Sequence, residues 1–437
     1  MTVRPGLWTN WAETVSCRPA RVVSPRDPAE VAETLATARR VGLRVKPVGA
    51  GHSFTPVAVT DGVQVRLDEL TGLIRTDVDP ECGSGTATVA AGTTVRVLNA
   101  ELARRGLGLA NMGDIDVQTV SGAVSTGTHG TGRDCASLSA LVVGLEIALP
   151  DGSLVHCSTD DEPDLFQAAR LGVGALGIVT SLTFQVERAF LLHGIEEPGR
   201  LDEVLECFDE YAAEEHLDMY WLPFSDAMQL KRHRRTGEPR QPLSRMSAWW
   251  AEIGENYVVE LVQKITRTAP RLTPVANRVV GGLVSRRDYV DTAPSVFTRV
   301  RRLRWYEMEY ALPRRVAVPA IREFRRLTTQ GPWRIAFPVE IRFAPADDVW
   351  LSPAYGRDTV HISCHAYPRT DYSGWFAAAE ELFVSYGGRP HWGKLHTCNV
   401  GYLEQVYPRM AEFRKIRDRV DPDRLMRNDY LRQVLGD

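Results

Sequence analysis

The sequence predicts an α+β protein with a two-lobed amino-terminal domain, about residues 1–187, followed by a second domain of different texture. Three observations carry this expectation. The chain has 437 residues, more than one core usually supports. Up to about Glu187, short β-branched strands alternate with amphipathic helices and turn signals. Beyond it, long amphipathic stretches such as Leu201 to Glu215 alternate with aromatic strands such as Met219-Tyr220-Trp221-Leu222.

In the first lobe, Asp27-Pro28-Ala29-Glu30 combines a capping aspartate, a first-turn proline and a glutamate placed to reach back, and Val31, Leu35 and Ala38 recur at helical spacing. A helix is expected from about Pro28 to Gly42. Leu43 to Val48, Val63 to Leu67, Leu73 to Val78 and Thr86 to Ala91 read as strands of the same lobe, and Thr93 or Thr94 caps a helix that stops at Gly106. The second lobe pairs Leu141 to Leu149 with Ser153 to Cys157 through Pro150-Asp151-Gly152, and Ile178 to Val186 closes it. Gly172-Val173-Gly174-Ala175-Leu176-Gly177 fits Gly-x-Gly-x-x-Gly, yet a helical stretch precedes it and a strand follows, the reverse of a nicotinamide-binding unit. Lys231-Arg232-His233-Arg234-Arg235 reads as a solvated loop.

Composition narrows the function classes. A hydrophobic content of 44% and a charged content of 24% are ordinary for a soluble globular protein. A formal charge of −3 gives no general attraction to nucleic acid or anionic lipid, so nucleic acid is not expected as a partner. The seven cysteines (Cys17, Cys82, Cys135, Cys157, Cys207, Cys364 and Cys398) are scattered and form no Cys-x-x-Cys pair, which suits a reducing cytosol and no structural zinc. Met1-Thr2-Val3-Arg4-Pro5-Gly6 leads into polar sequence, and no run approaches the ~18 apolar residues of a membrane span. The expectation is a soluble, cytoplasmic protein without a transmembrane segment or a metal site.

The chemistry concentrates in a few stretches. Pro47-Val48-Gly49-Ala50-Gly51-His52-Ser53-Phe54 follows a strand, and its glycines let backbone N–H groups approach an anion closely. It reads as a pyrophosphate nest or as a pair of tight turns, and His52 favours the first, because an imidazole there can be alkylated by a flavin ring methyl. Ser121-Gly122-Ala123-Val124-Ser125-Thr126-Gly127-Thr128-His129-Gly130-Thr131-Gly132 answers it downstream. In Ile335-Ala336-Phe337-Pro338-Val339-Glu340-Ile341-Arg342-Phe343, read as a strand with Pro338 at an edge or bulge, Glu340 and Arg342 share one face. They are an ion pair over a sheet or a polyol-binding pair. Arg357 to His365 reads as the next strand, from which His365 could approach them. His391-Trp392-Gly393-Lys394 stands near the end of the chain.

The two glycine loops together resemble the FAD loops of the vanillyl-alcohol-oxidase class, within it the aldonolactone and alditol oxidases, where a Gly-x-Gly-His-Ser loop carries the covalent flavin. Glu340-Ile341-Arg342 and His391-Trp392-Gly393-Lys394 resemble that group's substrate and lysine motifs, and the likeness runs from Asn10-Trp11 to Asn428-Asp429-Tyr430. The resemblance implies a two-lobed PCMH-type FAD-binding domain, an inserted α+β substrate (cap) domain over residues 188–387, and a return to the first domain over 388–437. It implies FAD attached through His52, with Gly49, Ala50, Gly51, Ser53, Phe54, Gly113, Asp114, Ser121, Gly122, Ser125, Thr126, Gly127, Thr128, Gly130, Gly132, Gly177 and Ile178 around it. It further implies that Arg342 holds the oxygen of the carbon being oxidised, that Glu340 or His365 takes the hydroxyl proton, and that Lys394 steadies charge on the flavin as hydride arrives. The substrate expected is a sugar 1,4-lactone of gulono-, galactono- or arabinono-type, with an alditol or specialised-metabolite alcohol as the alternative. Gly113 leaves room for dioxygen as acceptor, with peroxide released, though another acceptor is compatible. Asp114 and His365 depart from the serine and threonine of the alditol oxidases and point to the lactone branch.

Overall fold

The helix expected near residue 28 runs Pro28–Arg40 in the computed structural model, which describes residues 2–3, 6–134, 137–368 and 370–437. Met1, Arg4 and Pro5 of the amino-terminal segment and Cys135 of the cysteine set lie outside the described residues; the other six cysteines are free thiols. Asp27 accepts the Glu30 N–H at 2.8 Å, and the Glu30 carboxylate reaches back to the Arg26 N–H at 2.9 Å. The helix packs Val31, Leu35 and Ala38 against Val45, Val63 and Val65. These belong to a four-stranded sheet ordered Thr2–Val3, Arg21–Val23, Val63–Arg66, Val45–Val48, with the last three strands parallel. Val45–Val48 ends where the His52 loop begins.

The strands expected at 73–78 and 86–91 form at Leu73–Val78 and Gly85–Ala90, but in the second lobe. They continue a sheet ordered Leu154–Ser158, Val142–Ala148, Ile178–Arg188, Gly85–Ala90, Leu73–Val78, with Leu107–Gly108 also against Ile178–Arg188. Their partner lies far along the chain, so local pattern assigns the strands and not the sheet. Ile178–Arg188, last in sequence, is central in space. The helix Val95–Ala103 starts on Thr94, whose hydroxyl accepts the Val97 N–H at 3.3 Å. The Pro150-Asp151-Gly152 turn joins its two strands as expected.

From Leu191 onward the chain builds an eight-stranded antiparallel sheet ordered Arg287–Thr292, Leu191–Arg200, Ala227–Thr236, His216–Trp221, Val339–Ala344, Thr359–Ala366, Tyr306–Pro313, Arg389–Pro390. Three expectations change here. The helix expected over Leu201 to Glu215 breaks into Leu201–Glu206 and Phe208–Ala212; a continuous helix would stack Glu206 between Asp202 and Glu210 at four-residue spacing, a like-charge arrangement. The basic run 231–235 is not a loop but part of the strand Ala227–Thr236, where Arg232 pairs with Glu197 and Glu214, Arg234 with Glu214, and Arg235 with Glu187 and Glu215. The strand carrying Glu340 begins at Val339, leaving Pro338 outside the ladder, and is interior instead of at an edge.

A helical excursion connects Ala227–Thr236 to Arg287–Thr292 along the chain: Arg245–Glu252, a wider-wound turn Ile253–Val258, Val259–Thr268 and Thr273–Gly282. The carboxy-terminal segment returns to the first lobe. Val45 N–H donates to Leu425 O at 2.9 Å, and the Asn428 side chain donates to the carbonyls of Pro56, Val57 and Val59.

Gly177 holds the turn before Ile178 at φ +150°, and a Cβ there would lie 2.2 Å from the Ala148 carbonyl oxygen. Gly177→Ala is expected to lower stability by roughly 2–4 kcal/mol in thermal or urea unfolding. Gly237→Ala, with nothing within 4 Å of the added carbon, should stay within about 0.5 kcal/mol of the parent. Equal stabilities for the two variants would contradict this account of the turn.

Candidate active site

Two adjoining cavities, of about 350 Å³ and about 110 Å³, share His52, Ser53, Gln118 and Thr126 in their walls. Gly49, Ala50, Gly51, Ser121, Gly122, Ser125, Gly177 and Ile178 line the smaller one. The two glycine loops approach so closely that a Cβ on Gly49 would lie 2.1 Å from Thr119 Oγ1. The helix Val120–Thr126, capped by Thr119, sets its first turn against this groove. Backbone N–H groups of the Gly49–Ser53 loop and the Ser53 and Ser125 hydroxyls suit the oxygens of a pyrophosphate, so the groove fits the nucleotide part of FAD, whereas the first N–H groups of the helix already donate to Thr93 O, Ala91 O and Thr119 Oγ1. Lys46, which sequence reading missed, also lines it; burial lowers its ammonium to a pKa of about 7, and Nζ donates to Gly174 O at 2.9 Å. Gly127, Gly130 and Gly132, grouped above with the cofactor, line neither cavity. Gly127 ends the helix at φ +79°, and a Cβ on Gly130 would meet the Met112 carbonyl at 2.3 Å, so close backbone packing accounts for them.

His52 stands where the cavities meet. Its ring stacks on Trp11, with centroids 5.1 Å apart. Burial and the nearby Lys394 ammonium lower its pKa to about 4, against a weaker pull from Asp114. The imidazole is therefore neutral at neutral pH and keeps the lone pair that a bond to carbon requires. The Lys394 loop is pinned beside it: Phe54 N–H donates to Gly393 O at 2.7 Å, and Lys394 Nζ lies 5.2 Å from the Phe54 ring centroid.

The larger cavity collects His52, Phe54, Gly113, Asp114, Thr128, Glu340, Arg342, His365 and Lys394. The pleat of Val339–Ala344 puts Glu340 and Arg342 on one face, joined at 2.8 Å. Register sets Asp218 opposite Arg342, and its carboxylate takes the Arg342 Nε at 2.6 Å. Burial pushes the Glu340 carboxyl up to about 7, with Asp114 and Asp218 adding and Arg342 opposing. Burial alone would lower Arg342, but Glu340 and Asp218 hold it well above its ordinary range. His365 Nδ1 sits 3.1 Å from the Pro338 carbonyl, which can only accept, so the proton is on Nδ1 and Nε2 is left as an acceptor.

Sequence reading quoted Glu307-Met308-Glu309 without giving either carboxylate a role. Both project from one face of Tyr306–Pro313. Glu307 pairs with Lys394 at 2.6 Å; burial alone would depress the ammonium, and Glu307 and Glu309 outweigh it. Glu309 Oε1 lies 2.5 Å from His129 Nε2 and 3.0 Å from His361 Nδ1, and Oε2 accepts from Ser363 at 3.0 Å. His129 Nδ1 faces the Gly130 carbonyl at 2.8 Å and so carries a proton, and the 2.5 Å contact on its other nitrogen needs a second. The His129–Glu309 pair thus holds one proton beyond a neutral imidazole and a carboxylate. Asp114 pairs with Arg301 at 2.9 Å, also unforeseen. The available signal was the two-residue alternation of acids in a strand, the same one that singled out Glu340 and Arg342.

Comparison with known proteins agrees with this geometry. Residues 182–434 match the family model described as D-arabinono-1,4-lactone oxidase, and residues 19–158 match an FAD binding domain. The chain is 38% identical to an L-gulono-1,4-lactone dehydrogenase of Mycobacterium tuberculosis, covering 98% of this chain and 99% of that one. It is 32% identical to an L-gulonolactone oxidase of Mus musculus, with 97% of each covered. Among solved structures, a solvent-stable cholesterol oxidase superposes with a TM-score of 0.82 at 18% identity, covering 99% of this chain and 97% of that one, a likeness of fold alone. The chain belongs to the D-arabinono-1,4-lactone oxidase family and carries its FAD-binding domain.

Proposed function

We propose that the protein oxidises a CH–OH carbon of a sugar 1,4-lactone, of gulono-, galactono- or arabinono-type, with FAD held covalently through His52 and dioxygen as acceptor, releasing hydrogen peroxide. One observation carries the reading: His52, at the end of the nucleotide groove, shares a single cavity with Glu340, Arg342, Lys394 and His365. In this reading residues 1–187 and 388–437 hold the cofactor and 188–387 cover the substrate. No helix among the described residues is long and apolar enough to cross a membrane, and we place the enzyme in the cytoplasm.

FAD, when bound, supplies the two-electron acceptor for the hydrogen leaving the substrate carbon. The loop of Gly49 to Ser53, with the Ser125 hydroxyl, would hold its phosphates, and Phe54, Gly113, Asp114 and Thr128 would wall the ring. Arg342, fixed by Asp218 and Glu340, donates to the substrate oxygen and stabilises alkoxide character as it develops. Glu340 accepts the hydroxyl proton; with its pKa near 7 it is poised for that transfer, and His365 Nε2 is the other acceptor within reach of the site. Lys394, kept protonated by Glu307, presents a fixed cation. Gly113 lines the cavity, and a Cβ there would lie 2.9 Å from Thr128 Cγ2, so its bareness makes room for Thr128. The Mycobacterium tuberculosis relative, named a dehydrogenase, favours as second reading the same oxidation with a different acceptor.

Anaerobic mixing with a panel of sugar lactones and alditols is expected to bleach the flavin with a lactone and, on admitting air, to release peroxide. Bleaching by none of the lactones would overturn the reading. His52→Ala is expected to give protein whose flavin separates on acid denaturation, while flavin still covalently attached would remove His52 from that role. Lys394→Met should slow anaerobic flavin reduction by roughly 100-fold with flavin retained; an unaltered rate would exclude it from the chemistry. Ionised Glu340 is the active form, so kcat/KM should rise as pH passes through about 7 and flatten in Glu340→Gln. Because burial raises this carboxyl in the folded state, its contribution to stability falls over the interval from the ordinary carboxylate range up to about pH 7.

A further inference from the structure

The helical excursion Arg245–Gly282 packs with its polarity reversed. The side chains it buries include Asn256, Gln263, Thr266, Thr273 and Asn277, while Trp249, Trp250, Tyr257, Leu261, Ile265 and Val279 are each 45–59% exposed. Most of the large apolar side chains exposed among the described residues lie between Met246 and Leu283. Hydrogen bonds fix this orientation. Asn256 donates to Val300 O at 3.1 Å and accepts from the Arg302 N–H at 2.8 Å, and Asn277 donates to Pro223 O and Ile335 O at 2.8 and 3.0 Å. Turning the apolar stripe inward would break these bonds, so the stripe is committed to whatever lies outside.

The charges on the same segment say what that is. Arg245, Arg271 and Arg278 are exposed, and no ion pair joins them to a carboxylate among the described residues. The acids with described side chains are already engaged, Glu252 with Arg302 at 2.7 Å and Glu260 with Lys264 at 2.7 Å. A second copy related by two-fold symmetry would press this cationic patch against itself. An aqueous protein surface would leave the tryptophan pair and the aliphatic stripe in water. Apolar and tryptophan side chains interleaved with unpaired arginines suit an interface whose outer layer is anionic and whose inner layer is hydrocarbon. The formal charge of −3 for the whole chain conceals this local excess.

We infer that Arg245–Gly282 docks the protein peripherally on an anionic phospholipid surface, with Trp249, Trp250, Leu261 and Ile265 at the acyl boundary and Arg271 and Arg278 among the headgroups. The segment also walls the larger cavity. Val258 and Leu283 line that cavity and are 40% and 70% exposed, so they mark its rim and place it against the lipid.

Flotation of the full-length, flavin-loaded protein with vesicles tests this. Vesicles of phosphatidylcholine with a third phosphatidylglycerol should carry the protein upward at low salt, and pure phosphatidylcholine should not. Arg271→Glu with Arg278→Glu should weaken partitioning roughly 30-fold. Trp249→Glu with Trp250→Glu should abolish it, with flavin absorbance, melting temperature and turnover with a soluble acceptor unchanged. Failure to float with the phosphatidylglycerol vesicles, or equal flotation with the neutral ones, would overturn the proposal. So would a dimer in sedimentation that Trp249→Glu dissociates, since a second copy would then cover the stripe.

Discussion

Glu307 and Glu309 stand two apart on Tyr306–Pro313 with both carboxylates buried, and a buried carboxylate is tolerated only when cations or donors meet it. Here they come from distant parts of the chain: Lys394 from the carboxy-terminal loop, His129 from the second glycine loop, and His361 and Ser363 from the neighbouring strand. The backbone carbonyls of the same two glutamates take the N–H groups of Leu395 and His391, at 2.8 and 3.0 Å. One strand therefore fixes the Lys394 loop by main chain and side chain at once, and ties both to the cofactor lobe. The closeness of His52 to Lys394 follows from this anchoring.

Around that anchor the cavity is a set of compensated charges. Asp114 answers Arg301, Arg342 is shared between Glu340 and Asp218, and Lys394 answers Glu307. Compensation holds most of these groups in one ionisation state. Burial keeps His361 and His391 neutral, at about 4 and about 3, as it does His52. Glu340 differs, because its arginine is divided with Asp218 while burial and neighbouring acids push its carboxyl to about 7. A carboxyl raised to about 7 is thus placed among fixed charges, the arrangement that the proposed acid–base role requires.

What the sequence disclosed followed the range of the interaction. Caps at Asp27 and Thr94, the 150–152 turn and the shared face of Glu340 and Arg342 depend on neighbours within a few residues, and they stand where local rules put them. The lobe to which Leu73–Val78 belongs and the ion pairs of Arg232, Arg234 and Arg235 depend on partners far along the chain. The glycine loops and the His391-Trp392-Gly393-Lys394 motif gave the cofactor and the family, but Glu307, Glu309 and Asp218 gained roles only once register was known. Whole-chain charge likewise averaged away the cationic stripe of the helical excursion.

Glu309, by sharing a proton with His129 and accepting from His361, joins the second glycine loop to the eight-stranded sheet. Urea unfolding of flavin-loaded Glu309→Gln tests it most directly, because the amide keeps the shape and cannot balance the proton. Loss of a buried partner predicts a fall of roughly 3–5 kcal/mol. Stability within about 0.5 kcal/mol of the parent, the range of a neutral surface change, would contradict the account.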